Sequence, residues 1–180
     1  MIVSQWSQLQ GPHQKSSHSF GVIDIFQLGH PKLAFLVLLG NAFKTIVPLL
    51  IAKSQGVGSG NLAWLIVAIT LGHMFPIFFH FRGGQGIATT LSGLLIVSWP
   101  IGLLTITAWI IVFICFQYAS LASLASILSM LFLTLCLGPI KTHTPIALLA
   151  GLLLTRHSQN WVRLWTGCES KIQIAKYFHS

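Results

Sequence analysis

Acidic residues are almost missing from this chain: Asp24 and Glu169 stand against ten Lys and Arg in 180 residues. Charge of either sign is scarce, at 7% of residues, where a soluble domain carries roughly 25%. From Gly83 to Ile140 there is no Lys, Arg, Asp or Glu at all. That stretch excludes an ordinary water-soluble domain. As helix it would run about 87 Å at ~1.5 Å per residue, enough for two to three crossings of a hydrocarbon core about 30 Å thick. Cysteine is also rare. Cys115 and Cys136 lie in apolar runs and Cys168 in the tail. No pair has metal-ligand spacing and three cysteines make no disulfide framework, so they are expected to be small buried hydrophobes. No internal repeat is visible. The polar stretch Met1 to Ser19 lacks the apolar core of a cleavable signal peptide.

What is abundant is apolar: 54% of the residues are hydrophobic and mean hydropathy is +0.80. The fold class that follows is all-α, a polytopic transmembrane helical bundle. Six membrane segments are expected, at about 33–52, 62–79, 86–98, 101–117, 119–139 and 144–156. A polar segment, 1–32, precedes this transmembrane domain of 33–156, and an amphipathic tail, 157–180, follows it. The competing reading joins 86–117 into one kinked helix and gives five spans. Cation placement separates the two, because cytoplasmic loops carry the Lys and Arg excess. Six spans put Lys15, Lys32, Arg82, Arg156, Arg163, Lys171 and Lys176 on one side, against Lys53 and Lys141. Five spans split them nearly evenly, so the pattern favours six. The N-terminal segment, the loop after the second span and the tail then share the cytoplasmic face. The net charge of +8 is explained mostly by this topology. Cations confined to short loops and a tail argue against nucleic acid as a partner and leave anionic lipid or an anionic substrate.

The densest chemistry lies in Gly72 to Thr90. An apolar run delivers His73, His80 and Arg82, then Gly83, Gly84, Gln85 and Gly86, and another apolar run follows at once. Glycines let backbone N–H groups approach an anion unobstructed, and the helix start behind them adds a positive dipole end. Phosphate binding at a membrane surface is the chemistry suggested, although glycines between two spans are also plain turn formers. Thr89 and Thr90 stand ready as hydroxyl donors. Pro76 is expected to kink the helix between His73 and His80, and two histidines with no carboxylate nearby do not make a metal site. Lys44 lies in an apolar run three residues after Asn41, on the same helical face. It is either a buried cation anchoring a site or a side chain reaching for the interface. The glycines of Gln55 to Gly60 are spaced for a turn. In the tail, Trp161 and Trp165 suit the headgroup region, while His157, Asn160 and Arg163 lie along one helical face and could complete a polar pocket.

Together these segments resemble the bacterial acyl-phosphate:glycerol-3-phosphate acyltransferase family (PlsY). Gly72 to Thr89 follows the pattern GHxFPxxxxFKGGKGxAT. His157, Asn160, Arg163, Leu164, Gly167, Glu169 and Lys171 follow HRxNIxRLxxGxExK in matching spacing, and Leu38 to Lys44 resembles LLGDxxKG. In the first family motif only Ser17 and Gly21 fit. Ser19 and Asp24 stand where asparagines are usual, Gln27 where an arginine is, Gln85 where a lysine is, and Asn41 where an acid is. The family pattern also begins with one further membrane helix. The resemblance implies acyl transfer from acyl phosphate to the sn-1 hydroxyl of glycerol 3-phosphate, giving lysophosphatidate for phospholipid synthesis in the bacterial inner membrane. It implies no metal and no organic cofactor. It assigns Ser17, Lys44, His157 and Asn160 to catalysis, and Arg82, Gly83, Gly84, Gln85, Gly86, His73, Asn41 and Glu169 to substrate or phosphate binding. The alternative is a catalytically lapsed relative that binds lipid or serves structurally. A small transporter is disfavoured, since only Lys44 and Asn41 would line a polar path.

Overall fold

A computed structural model of the chain describes residues 21–27, 29–77 and 83–172. All its regular structure is helical: α1 (Val22–Gln27), α2 (Pro31–Ser54), α3 (Ser59–Met74), α4 (Ile87–Val97), α5 (Trp99–Phe116), α6 (Ala119–Leu137), α7 (Ile140–Arg156) and α8 (Ser158–Trp165). Three of these, α2, α5 and α6, are long and apolar enough to cross a membrane unaided. α3 has 16 residues and α7 has 17. α4, with 11 residues, is about 16 Å long at ~1.5 Å per residue, roughly half the hydrocarbon thickness.

Contacts between helix ends establish that α2 to α7 alternate in direction. Lys53, ending α2, donates from Nζ to the Ile96 carbonyl at 2.8 Å, so the ends of α2 and α4 share a face. Gly60, opening α3, is backed by Lys141, opening α7; a Cβ there would sit 2.9 Å from the Lys141 Cβ. On the other face, Arg156 meets Gly83, Ile172 meets Gln117, and Glu169 meets Ser120. The chain therefore passes six times between two faces. The single kinked helix over 86–117 is absent: Ser98 is extended, with φ −150° and ψ 95°, and ends one helix as it opens the next. Pro100 sits in the first turn of α5, where its missing N–H costs nothing. α5 then folds back so closely that a Cβ on Gly102 would lie 2.7 Å from the Leu95 nitrogen.

Two boundaries differ from the sequence reading. α3 stops at Met74 rather than continuing through Pro76 to about 79. Proline lacks the N–H for a further turn and pushes the residue before it out of helical space; Phe75 has φ −125° and ψ 60°. Pro76 thus ends the helix instead of kinking it. α7 starts at Ile140, four residues before the expected 144, because Pro139, with φ −62° and ψ 141°, supplies an extended residue before it.

Each spanning helix contributes buried apolar side chains to one core, among them Leu49, Ile66, Leu94, Ile101, Met130 and Leu149. The outward faces are apolar as well: Phe35, Phe43, Ile111, Ile114, Phe132 and Leu135 are exposed, as surfaces solvated by lipid tails should be. The three cysteines follow this inside-out rule. Cys115, Cys136 and Cys168 are all exposed, not buried as their hydrophobicity suggested, because in such a chain apolar residues do not have to face inward.

Candidate active site

The connection from α3 to α4 is built around glycines that nothing else can replace. Gly83 lies under the end of α3: a Cβ would come within 2.5 Å of the Met74 carbonyl oxygen and 2.6 Å of the Pro76 Cδ. Gly84 packs on the His73 imidazole, where a Cβ would collide with Nε2 and lie 2.9 Å from Cε1. Gly86 adopts φ +85°, left-handed space open mainly to glycine, and immediately precedes α4. It faces Thr70 and Leu153 at 3.0 and 3.2 Å from its would-be Cβ.

Among the described residues the result is a row of donors without a backbone acceptor. Gly86 makes no side-chain cap, and its carbonyl accepts the Thr90 N–H at 2.9 Å. The N–H groups of Gly84, Gln85, Gly86, Ile87, Ala88 and Thr89 have no carbonyl acceptor among the described residues. Successive amides at a helix start form an anion-binding concavity with the positive end of the helix dipole behind it. Around it the field is positive. Lys44 and Arg156 both act electrostatically on His73, and the Arg156 Nη2 donates to the Gly83 carbonyl at 3.1 Å. The one described carboxylate in the tail, Glu169, is occupied elsewhere. The hydroxyls of Thr70, Thr89 and Thr90 are buried without a hydrogen-bond partner.

A second cluster forms where α7 passes into α8. His157 is fully buried, and its Nδ1 lies 2.8 Å from the Leu153 carbonyl. A carbonyl only accepts, so Nδ1 carries the proton and Nε2 of the neutral ring holds a lone pair. That Nε2 is buried and unpartnered. Burial lowers the His157 pKa below its ordinary value; the Leu153 hydrogen bond opposes this, and the neighbouring Arg156 charge adds to it. Asn160, one turn on, is buried and accepts from the Arg163 Nη2 at 2.5 Å. Arg163 Nε stands 3.3 Å from Glu169 as an ion pair, without hydrogen-bond alignment. Ser120 donates to the other Glu169 oxygen. Gly167, with φ +70°, turns the chain after α8. The strand of tail beyond it ties down across Tyr118, with Lys171 Nζ 5.5 Å from the ring centre, and the Ile172 N–H bonds to the Gln117 carbonyl at 2.9 Å. Leu153 links the clusters, touching Gly86 while its carbonyl holds His157.

The expected residues fall into these groups unevenly. His73, Gly83, Gly84, Gln85 and Gly86 come together at the α3–α4 connection. His157, Asn160, Arg163 and Glu169 come together at the tail. Lys44 is exposed on α2 rather than buried; its charge still reaches His73. Asn41 is half-buried one turn away, and its carbonyl accepts from Thr45 at 3.2 Å. Ser17, His80 and Arg82 lie outside the described residues. Sequence reasoning passed over Arg156, counted only as a topology charge, and Ser120, lost in a small-residue run. Adjacency to His157 at a helix end was the one signal for Arg156. Trp165 and Val162 point outward from α8 while Asn160 points in, so the tail helix has one face for the interface and one for the site.

Comparison with known proteins agrees with this architecture. The family model described as glycerol-3-phosphate acyltransferase matches residues 1–167. A glycerol-3-phosphate acyltransferase of Methylococcus capsulatus is 38% identical over 173 residues, covering 96% of this chain and 87% of the relative. One of Coxiella burnetii is 36% identical, covering 97% and 90%. The crystal structure of PlsY, an integral membrane glycerol 3-phosphate acyltransferase, in its glycerol 3-phosphate form superposes with TM-score 0.85 at 30% identity, over 99% of this chain and 90% of that one. Its lysophosphatidic acid form gives 0.78 at 29% identity, over 90% and 84%. A glycine-lined row of amides without a backbone acceptor among the described residues, a buried histidine beside it and six apolar passes thus coincide with a match over nearly the whole chain: this protein belongs to the glycerol-3-phosphate acyltransferase family.

Proposed function

We propose that this protein transfers a fatty acyl group from acyl phosphate to the sn-1 hydroxyl of glycerol 3-phosphate, releasing lysophosphatidate and phosphate. The observation that carries this reading is the row of six backbone N–H groups from Gly84 to Thr89 that have no backbone acceptor among the described residues, at the start of a short helix and in the field of Lys44 and Arg156. Such a row suits a phosphate that must be held and then released as a leaving group. In the reaction the sn-1 oxygen forms a bond to the acyl carbon. The bond from that carbon to the phosphate oxygen breaks, and the bonding pair leaves with the phosphate. The glycine amides and the α4 dipole neutralise the charge gathering on that group. Phosphate is a good leaving group, so positioning and charge neutralisation supply most of what is required.

The unpartnered Nε2 of His157 is the acceptor for the sn-1 hydroxyl in this scheme, because its neutral tautomer is fixed by Leu153. Asn160, held at its oxygen by Arg163, keeps its NH₂ free to orient the glycerol. Lys44 and Arg156 add attraction for the second phosphate. Ser17 and Arg82 are assigned to the same site on the family pattern. The reaction faces the cytoplasm of a bacterial inner membrane, a placement supported by the cation excess on the tail side. Cys168 is exposed on that side. In a variant lacking Cys115 and Cys136, an impermeant maleimide should label it in inside-out vesicles and not in intact cells.

The direct test is formation of labelled lysophosphatidate by purified protein in lipid, with acyl phosphate or acyl-coenzyme A as donor. Product from acyl phosphate alone supports the reading. No product from either donor, with the protein folded, refutes it. Gln85 and Gln27 stand where the family pattern has cations, yet the amide row remains complete, and no structural observation favours the lapsed reading.

A further inference from the structure

We propose that Arg156 is a positioning residue: it aims the glycine loop by holding the Gly83 carbonyl, and does so through hydrogen bonding and stacking rather than through its charge alone. The inference rests on the acyltransferase reading for its kinetic consequence, but not for its structural one.

Arg156 is the last residue of α7, 73 positions from Gly83 in sequence. Its Nη2 donates to the Gly83 oxygen at 3.1 Å, and its guanidinium carbon lies 5.5 Å from the centre of the Phe75 ring. Two different atoms of the α3–α4 connection are therefore gripped by one planar group. Phe75 is the residue that Pro76 forces out of the helix, and Gly83 is the residue pressed beneath Met74 and Pro76. Arg156 closes the third side of that enclosure. The trans peptide between Gly83 and Gly84 is planar. Fixing its carbonyl toward Arg156 points the Gly84 N–H the opposite way, so the first donor of the anion row is aimed by the bond. Lysine could supply the same charge but neither the fork nor the flat face. The loop is enclosed sterically, but its own amides make no backbone hydrogen bonds from Gly84 to Thr89 among the described residues. Position 156 thus does for the loop what a backbone ladder does elsewhere.

The test compares Arg156→Gln, Arg156→Lys and Phe75→Leu in lipid nanodiscs, by two readouts. The first needs no turnover: a nitroxide attached at Gln85→Cys, in a chain freed of native cysteines, reports loop mobility without substrate. All three variants are expected to show a more mobile label. The second is kinetic: KM for glycerol 3-phosphate and acyl phosphate should rise about tenfold in Arg156→Gln, the loss expected for a hydrogen bond to a charged group. It should rise nearly as far in Arg156→Lys, and kcat should fall as well in both variants, since the Gly84 N–H that loses its aim also meets the departing phosphate. Wild-type label mobility in the Gln and Lys variants overturns the proposal. So does an Arg156→Lys protein with wild-type KM, which would make Arg156 a charge and nothing more. Where Arg156→Gln fails to fold, Phe75→Leu decides, because it keeps the guanidinium and removes only its platform. A wild-type protein that turns nothing over, yet whose label loosens in the variants, refutes the acyltransferase reading and leaves the positioning role standing.

Discussion

Two glycine-to-alanine substitutions of identical chemistry should have opposite consequences. At Gly83, the added Cβ would lie 2.5 Å from the Met74 carbonyl oxygen and 2.6 Å from the Pro76 Cδ. Ordinary contact begins near 3.4 Å, and both neighbours are backbone or ring atoms that cannot rotate away. The loop must therefore move by roughly an ångström, the scale at which misplacement costs about a hundredfold in rate. At Gly40, in the middle of α2, nothing lies within 4 Å of the new Cβ. Alanine there removes helix-breaking entropy, with a gain of about 0.5–1 kcal/mol. The assay is kcat/KM for lysophosphatidate formation in lipid, with thermal unfolding of both variants as the stability readout. Gly83→Ala is expected to lose about two orders of magnitude, and Gly40→Ala to keep wild-type activity with equal or higher stability. Activity within threefold of wild type for Gly83→Ala would refute the claim that the loop is held by steric enclosure.

Three further outcomes follow from the geometry. His157 has a depressed pKa, so the unfolded chain binds its proton more readily than the folded one, and stability falls as pH drops below about 6.5. The acid limb of kcat/KM should show a midpoint below that value, and His157→Gln should lower kcat/KM and abolish that limb. Gln85→Lys adds a cation beside the free amides; KM for the phosphorylated substrates should fall by up to about fivefold, the reach of a partly exposed ion pair, with a steeper dependence on salt. Glu169→Gln should lower stability by about 1–3 kcal/mol, read as a lower unfolding temperature, since Glu169 is half of both the Arg163 and Ser120 contacts. Ser120→Ala added to it should cost little more, because the two residues share one network.

The sequence carried the bundle well and its edges less well. Apolar run length located six passes because a bilayer imposes that length, and the cation split favours six over five, as does the extended Ser98 that separates α4 from α5. Helix ends were missed where proline acts on its neighbours: Pro76 stops α3 through Phe75, and Pro139 lets α7 start early. Cysteine burial was misjudged for a reason particular to membranes, since Cys115 and Cys136 face outward without penalty. At the site, the glycines were legible because each glycine in Gly83 to Gly86 answers to a steric or dihedral demand that only glycine meets. Arg156 was not legible, because its meaning comes from a contact 73 residues away and from a carbonyl, which no residue type announces. Hydropathy alone does not say which way a lone lysine faces, so the sequence leaves Lys44 between a buried cation and a side chain reaching for the interface; the fold leaves it exposed.

The central claim is that acyl phosphate is the donor and that the free amides of Gly84 to Thr89 receive its departing phosphate. The measurement that tests it is simultaneous quantitation of inorganic phosphate and lysophosphatidate from purified protein in lipid, given acyl phosphate and labelled glycerol 3-phosphate. The account expects the two products in equal amounts, both lost together in Gly83→Ala, and neither product from acyl-coenzyme A. Lysophosphatidate formed without matching phosphate, or formed as well from the thioester, would contradict it.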